Sequence, residues 1–328
     1  MSSSDNRKLM DHVQQVLRVK HYAISTEKTY CDWIRQYIKF HRMQSKQELS
    51  ILPENKVEMF LSYLATERNV AISTQNQAMN ALVFLYKQVL ESPLEYKVNA
   101  IRPTKERKIP VVLTQEEVKQ VLTLLEGVPQ LFVKLLYGSG LRISEASRLR
   151  VQDVDYDYKQ ITVRAGKGNK DRVTTFSAQL MPQLKNHLQR VKLIHDEDLK
   201  AGYGSVYLPH ALSRKYPNAD KQWGWQYVFP SRNISTDPRS DVQRRHHIDH
   251  SVINKAIKVV VKRLGIIKRV SAHTFRHSFA THLLQRGTDI RTIQALLGHS
   301  ELETTMIYTH VLNQGGEGVV SPLDDLNL

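Results

Sequence analysis

The sequence predicts a mainly α-helical protein with a small β-sheet, built as a helical domain followed by an α/β domain. Three observations predict it. Apolar residues recur three or four apart through most of the first hundred positions. That period then stops in a proline-bracketed basic stretch. Beyond it, two short β-branched runs flank a glycine-rich turn among further helical patterns. At 328 residues the chain has room for about two domains of ~150 residues, each large enough to bury a core.

In chain order, a weak helical pattern from Leu9 to Leu17 comes first. Ser25 or Thr26 can cap a helix bearing Tyr30, Trp33, Ile34, Tyr37 and Phe40. Val57 to Ala65 gives a shorter helix. Ser73 can cap a long one through Met79, Leu82, Val83, Tyr86, Val89 and Leu90. Cys31 and Trp33 fall on this pattern as core residues. These elements predict a helical domain over residues 1–92. Pro93, Pro103 and Pro110 then bracket Arg102-Pro-Thr-Lys-Glu-Arg-Lys108, read as a basic linker over 93–112. It suits either a strap that closes around a rod-shaped ligand or a plain flexible connection.

The second domain, 113–328, opens with Thr114-Gln-Glu-Glu117, a capping-box spacing. A helix through Leu131, Leu135 and Leu136 runs into Gly140-Leu-Arg142-Ile-Ser-Glu145. Strands follow at Gln160-Ile-Thr-Val163 and Arg172-Val-Thr-Thr175, around a turn at Gly166-Lys-Gly-Asn-Lys170. Helical pattern covers Ala178 to about Lys200 and Ile253 to Leu264. Three short helices finish the chain, with Gly287 and Gly298 as stops.

Composition narrows the function classes. The chain is 41% apolar and 24% charged, which excludes a mainly disordered protein. No apolar run approaches the ~20 residues of a membrane span, and the N-terminus has no secretion-signal pattern. One cysteine allows no internal disulfide and no cysteine metal cluster. The expectation is a reduced, cytoplasmic protein without metal or cofactor. Lys plus Arg is 47 against 32 for Asp plus Glu, a formal net of +15. That balance suits a polyanionic partner, since phosphate neutralisation drives nucleic-acid binding, although it also serves solubility alone. Residues 1–105 carry 15 basic and 10 acidic side chains, net +5, which leaves +10 for the rest. Both parts could therefore touch one polymer.

The chemistry concentrates near the C-terminus. His273 and Arg276, three apart, share one side of a helix's first turn while Phe275, Phe279 and Leu283 face a core. His299 follows a glycine stop, and Tyr308 lies on the next helix. With Arg142 and Lys167 upstream, this set is what phosphoryl transfer on DNA without a metal requires. Two guanidiniums neutralise the non-bridging oxygens. A tyrosine hydroxyl attacks phosphorus and stores the bond energy in a covalent intermediate. Histidine exchanges the phenol's proton, and a lysine protonates the departing 5′ oxygen.

This series resembles the tyrosine recombinase (phage integrase) family along nearly the whole chain. Gly140-Leu-Arg142-Ile-Ser-Glu145 looks like the family's first catalytic box, Gly166-Lys-Gly-Asn-Lys170 like its lysine hairpin, and His273 to Leu284 like its second box. The resemblance implies a helical SAM-like core-binding domain and a catalytic domain of the DNA breaking-rejoining fold. It implies Tyr308 as the nucleophile that becomes 3′-phosphotyrosyl, with Arg142 and Arg276 clamping the scissile phosphate. His273 would manage the tyrosine proton, Lys167 would act as general acid with Lys170 as its competitor, and His299 would hydrogen-bond the phosphate. Glu145 would support the site. His277, His282 and His310 receive no chemistry.

Residues 201–249 form a stretch too long for an ordinary connection. Tyr203, Tyr207, Tyr216, Trp223, Trp225, Tyr227 and Phe229 crowd into it, interleaved with basic residues that include Arg239, Arg244 and Arg245. Aromatics among cations suit unstacked bases; a small satellite core is the alternative. Through Leu208-Pro-His-Ala-Leu-Ser-Arg-Lys-Tyr216 and Trp223-Gly-Trp-Gln-Tyr-Val-Phe229 the insert resembles the one that distinguishes integron integrases. Within the tail over 312–328, Gly315-Gly-Glu-Gly-Val-Val-Ser-Pro-Leu-Asp-Asp325 is similar to that of the Vibrio chromosomal-integron type. By that resemblance the enzyme integrates and excises gene cassettes at folded single-stranded hairpin sites. Trp223, Trp225, Pro238, His246 and His247, aided by Arg239 and Arg244, would hold extrahelical bases. The partners would be DNA and three further copies, joined into a homotetramer by the tail, in the bacterial cytoplasm at the nucleoid. Two rivals stay open: type IB topoisomerase-like relaxation, and a non-catalytic DNA-binding module.

Overall fold

The computed structural model describes residues 3–95, 99–102, 110–164, 171–208, 210–238 and 240–309. The chain divides into two compact units, residues 1–107 and 108–328. Lys167, Lys170, Arg239, His310 and the tail over 312–328 lie outside the described residues.

In the first unit four helices run over Ser3–Val19 (α1), Ile24–Phe40 (α2), Pro53–Thr66 (α3) and Ile72–Phe84 (α4). The expected caps are not used. α2 and α4 start at Ile24 and Ile72, with extended Ala23 and Ala71 in the cap position and no side-chain cap bond. Tyr22 and Val70, just upstream, pack against the core and so fix the entry of each helix. The long helix expected through Leu90 changes pitch: Leu85–Val89 is a π turn, which turns Leu85, Tyr86 and Val89 together into the core. Cys31, Ile34, Tyr37, Phe60, Leu64 and Leu82 complete that core. Trp33 is only half-buried and donates its indole N–H to Gln77 at 3.2 Å. Tyr86 donates to the Leu49 carbonyl at 2.9 Å, so the 2.8 Å bond between the two phenols has Tyr37 as donor.

The second unit opens with α5 (Gln115–Leu124), capped by the expected reciprocal bonds between Thr114 and Glu117. α6 (Gly127–Ser139) is apolar nearly all round because it runs through the core, burying Leu131, Phe132, Val133, Leu135 and Leu136. α7 spans Ile143–Arg148. β1 (Val154–Asp155), β2 (Gln160–Val163) and β3 (Arg172–Thr175) form an antiparallel sheet in that order, with Ile161 opposite Thr174. α8 covers Met181–Lys200.

The insert is folded. It holds α9 (His210–Lys215), a one-turn helix at Trp223–Trp225, and a hairpin of β4 (Pro230–Thr236) and β5 (Gln243–His247). Val206, Leu208, Ala219 and Tyr227 make a small core of their own, with Trp225 against it. Arg150 clasps this insert to the segment after α7. Its guanidinium donates to the carbonyls of Trp225 and Tyr207 at 2.8 Å each and lies 3.8 Å over the Tyr227 ring. Asp198 of α8 grips Arg245 of the hairpin with both oxygens, at 2.6 and 2.8 Å. α10 (His250–Arg263), α11 (Ala272–Gln285), α12 (Ile290–Leu297) and α13 (Glu303–Met306) close the unit. Among the described residues no helix is long and apolar enough to cross a membrane.

Candidate active site

The site forms where three chain segments meet. α6 ends on Gly140 in the left-handed conformation (φ +65°). A Cβ there would stand 2.5 Å from the Phe279 ring, so only glycine lets α6 and α11 approach this closely. The turn presents Arg142 on extended backbone at the start of α7. Arg276 sits in the first turns of α11, and α12 ends on a second left-handed glycine, Gly298, which delivers His299.

These segments are bonded to one another through the arginines. Arg276, 3% exposed, donates to the carbonyls of Gly140 and Leu297 and, at 3.1 Å, to Nε2 of His299. A guanidinium only donates, so this His299 nitrogen accepts. The ring's proton therefore lies on Nδ1, which donates to Thr305 Oγ1 at 2.9 Å. Arg142 donates to Glu145 at 2.7 Å and to the Gly298 carbonyl at 3.1 Å. Arg172, not singled out in the sequence, takes both Glu145 oxygens at 2.8 and 2.7 Å and the Leu296 carbonyl at 2.9 Å. With five N–H donors on each guanidinium, Arg142 and Arg276 keep donors for an anionic ligand while their planes are fixed by protein acceptors.

The electrostatics follow from this crowding. Burial pushes the Glu145 carboxyl up, but the bonds from Arg172 and Arg142 outweigh it and hold it down at about 2. Burial and the Arg142 charge bring Arg276 down to about 10. His299 is pushed down to about 3 by burial, then by Arg276, Arg142 and Arg172. His273 stands exposed at the rim, lowered by partial burial of its ring and by the Arg276 and Arg142 charges. Burial raises the Tyr308 phenol, while Arg276 and Arg142 pull it back toward ionisation.

The structure thus brings Arg142, Arg276, His299, Tyr308 and His273 into one neighbourhood. The sequence reading gives the tyrosine proton to His273, yet the Tyr308 hydroxyl is bonded to Nδ1 of His277 at 3.0 Å. His282 has a packing role, bonded through Nδ1 to Tyr137 at 2.8 Å. In the insert, His246 and His247 lie 4.0 Å apart, both edge-on to Tyr227. Trp223 faces His195 at 6.0 Å with Lys192 above it, and Trp225 faces Tyr216 at 6.4 Å. Pro238 is exposed at the hairpin turn, and Arg244 folds back beside Asp237 and Ser240. The tryptophans and the histidine pair therefore occupy different segments of the insert.

Residues 111–314 match the phage integrase family, and residues 9–96 match the phage integrase N-terminal SAM-like domain. The chain belongs to the phage integrase family. Its enzyme class is that of the site-specific tyrosine recombinases. The recombinase is 48% identical over 319 residues to an integrase/recombinase of Escherichia coli, covering 97% of this chain and 94% of that one. It is 35% identical over 267 residues to tyrosine recombinase XerA of Thermococcus onnurineus, covering 79% and 78%. Among solved structures, its fold resembles XerH recombinase bound to palindromic difH substrate in a post-cleavage complex. That match has a TM-score of 0.58 and 20% identity, over 94% of this chain and 83% of that one. A Tn1549 transposon integrase in complex with transposon right end DNA also matches, with a TM-score of 0.58 and 16% identity, over 92% and 94%.

Proposed function

We propose that this recombinase cuts and rejoins DNA at integron cassette sites through a 3′-phosphotyrosyl intermediate on Tyr308. The observation that carries the reading is the pair of guanidiniums, Arg142 and Arg276, tethered to protein acceptors with donors to spare and packed beside one buried tyrosine. The scissile phosphate takes those donors. The Tyr308 oxygen gives its proton to His273 as it forms a bond to phosphorus, the bond to the 5′ oxygen breaks, and Lys167 protonates that oxygen. Preorganised donors of this kind each contribute about 10²–10³-fold in rate. His299, held as the Nδ1–H tautomer by Thr305, points its Nε2 into the cluster, and His273 at the rim exchanges protons with solvent. Resealing reverses the steps with a different 5′ hydroxyl.

The insert supports hairpin substrates. His246 and His247, paired edge-on to Tyr227, form a polar aromatic ledge suited to a flipped-out base. Tetramer assembly would use the tail. The segment Pro322-Leu-Asp-Asp-Leu-Asn-Leu328 combines apolar and acidic residues. A groove of about 620 Å³ in the second unit offers Tyr137, Phe279 and Leu283 with Lys134 and Arg286, a matching receptor on a neighbouring copy.

Incubation with bulged hairpins and with the matching perfect duplexes tests the reading. A denaturant-resistant protein–DNA adduct is expected on the hairpin and is expected to vanish in Tyr308→Phe. Replacing Trp225, or His246 and His247 together, by alanine should weaken hairpin binding more than duplex binding. Equal losses on both substrates would contradict the hairpin reading.

A further inference from the structure

We propose that His277 is the positioning residue of the nucleophile, holding the Tyr308 hydroxyl in a docked resting position until DNA arrives. The inference rests on the reading of Tyr308 as nucleophile and adds the group that restrains it.

Tyr308 is 1% exposed, one of the largest fully buried side chains in the protein. Its ring packs with Phe279, Ala280, Ile293 and Leu297, and lies nearly parallel to His299, with centroids 6.4 Å apart at 16°. Its hydroxyl meets Nδ1 of His277 at 3.0 Å. Among the described residues the phenol has no other hydrogen-bond partner, so donating to Nδ1 is what satisfies its buried O–H. The short α13 and the turn after it, where Tyr308 lies, are therefore each pinned at one point. Thr305 is bonded to His299, and Tyr308 to His277, which lies one residue beyond Arg276 on α11.

This geometry keeps the phenol enclosed beside the arginine pair and out of solvent. A phosphate must come from solvent to the open donors of Arg142, whose side chain is 19% exposed. A phenol this enclosed has to leave His277 to meet it. The hydrogen bond breaks and the hydroxyl turns toward the arginine pair. His277 does not keep the proton: burial, then the His273 and Arg276 charges, push it down to about 4, far too weak a base for a phenol. It is a resting acceptor that keeps Tyr308 neutral and parked.

Two acceptor-free variants, His277→Phe and His277→Leu, are compared with His277→Asn, whose side-chain carbonyl replaces the Nδ1 acceptor. Without DNA, nitration by tetranitromethane reads how free the Tyr308 phenol is, with peptide mapping to separate it from the other tyrosines. With hairpin DNA, single-turnover adduct formation reads the delay that the docked position imposes. The expected result is nitration of Tyr308 several-fold faster in the Phe and Leu variants, and faster adduct formation. His277→Asn should return both toward wild type. Unchanged nitration in whichever acceptor-free variant keeps a wild-type melting temperature would overturn the proposal. So would slower adduct formation, or an Asn variant as fast as the others, which would assign the effect to packing. The nitration arm needs no DNA cleavage, so it fails separately from the reading of Tyr308 as nucleophile.

Discussion

Glu145 hydrogen-bonds Arg142 and Arg172 and lies 3.9 Å from a third arginine, Arg276, so removing its charge disturbs both the clamp and its buttress. Glu145→Gln leaves Arg142 and Arg172 without a counter-charge in a half-buried site. A loss of about 3–5 kcal/mol is expected on breaking a buried pair of this kind, measured by urea unfolding. The arginines themselves resist conservative exchange, because lysine cannot span the acceptors that Arg276 joins. Arg276→Lys should cut the cleavage rate by about 10²–10³-fold with a much smaller change in DNA affinity, read by single-turnover kinetics beside a binding titration. At this scale the sequence was legible for Arg142 and Arg276 through residue type and spacing, and for Glu145 only through the family resemblance. It was silent on Arg172, which looks like any polar strand residue until β3 brings it against Glu145. His277 was hidden for a related reason: a histidine beside Arg276 reads as packing until Tyr308, thirty-one residues away, closes on it.

The elements that position the site are fixed by two glycines and a clasp. A Cβ on Gly298 would lie 2.7 Å from the Arg172 side chain, and its backbone is left-handed at φ +63°. Gly298→Ala should therefore displace Arg172 and cost more than the ~1 kcal/mol of the backbone conformation alone, visible as a lower melting temperature together with slower cleavage. Arg150 holds the insert by two carbonyl bonds and a ring contact. Arg150→Met keeps bulk but loses every hydrogen bond of the guanidinium, including the one to the Tyr227 hydroxyl at 3.2 Å. Limited proteolysis should therefore cut faster within 201–249 while the first unit digests unchanged. Strands at 160–163 and 172–175 were readable because alternation and a glycine turn act locally. The starts of α2 and α4 were not, because packed Tyr22 and Val70 set them rather than the serines and threonine at hand. The small satellite core offered as the alternative for the insert is present, but its anchoring was out of reach, since Asp198 and Arg150 come from outside it.

For the whole molecule, the net charge of +15 predicts binding that weakens steeply with salt, and three half-buried histidines predict acid sensitivity. His277 and His247 are held down at about 4 and His299 at about 3, burial being the first cause in each. The unfolded chain takes up protons near pH 6.5 that the folded chain refuses. Stability is thus full above about pH 6.5 and falls as pH drops toward 4, whereas the contribution of Glu145 is lost only below its ordinary range near 4.5. Calorimetry from pH 7.5 to 5 should show a falling melting temperature; a flat profile would contradict the half-buried neutral imidazoles. The division into a helical and a mixed unit was visible in the sequence because periodicity is a local signal. The gathering of Arg142, His273, Arg276, His299 and Tyr308 was legible as a set; that Arg172 and His277 join them was not, because long-range packing alone creates those contacts. The most direct test of the account is mass spectrometry of the adduct trapped on hairpin DNA. The expected result is a single peptide containing Tyr308 that carries a 3′-phosphonucleotide. Attachment at any other residue, or an adduct that survives Tyr308→Phe, would contradict it.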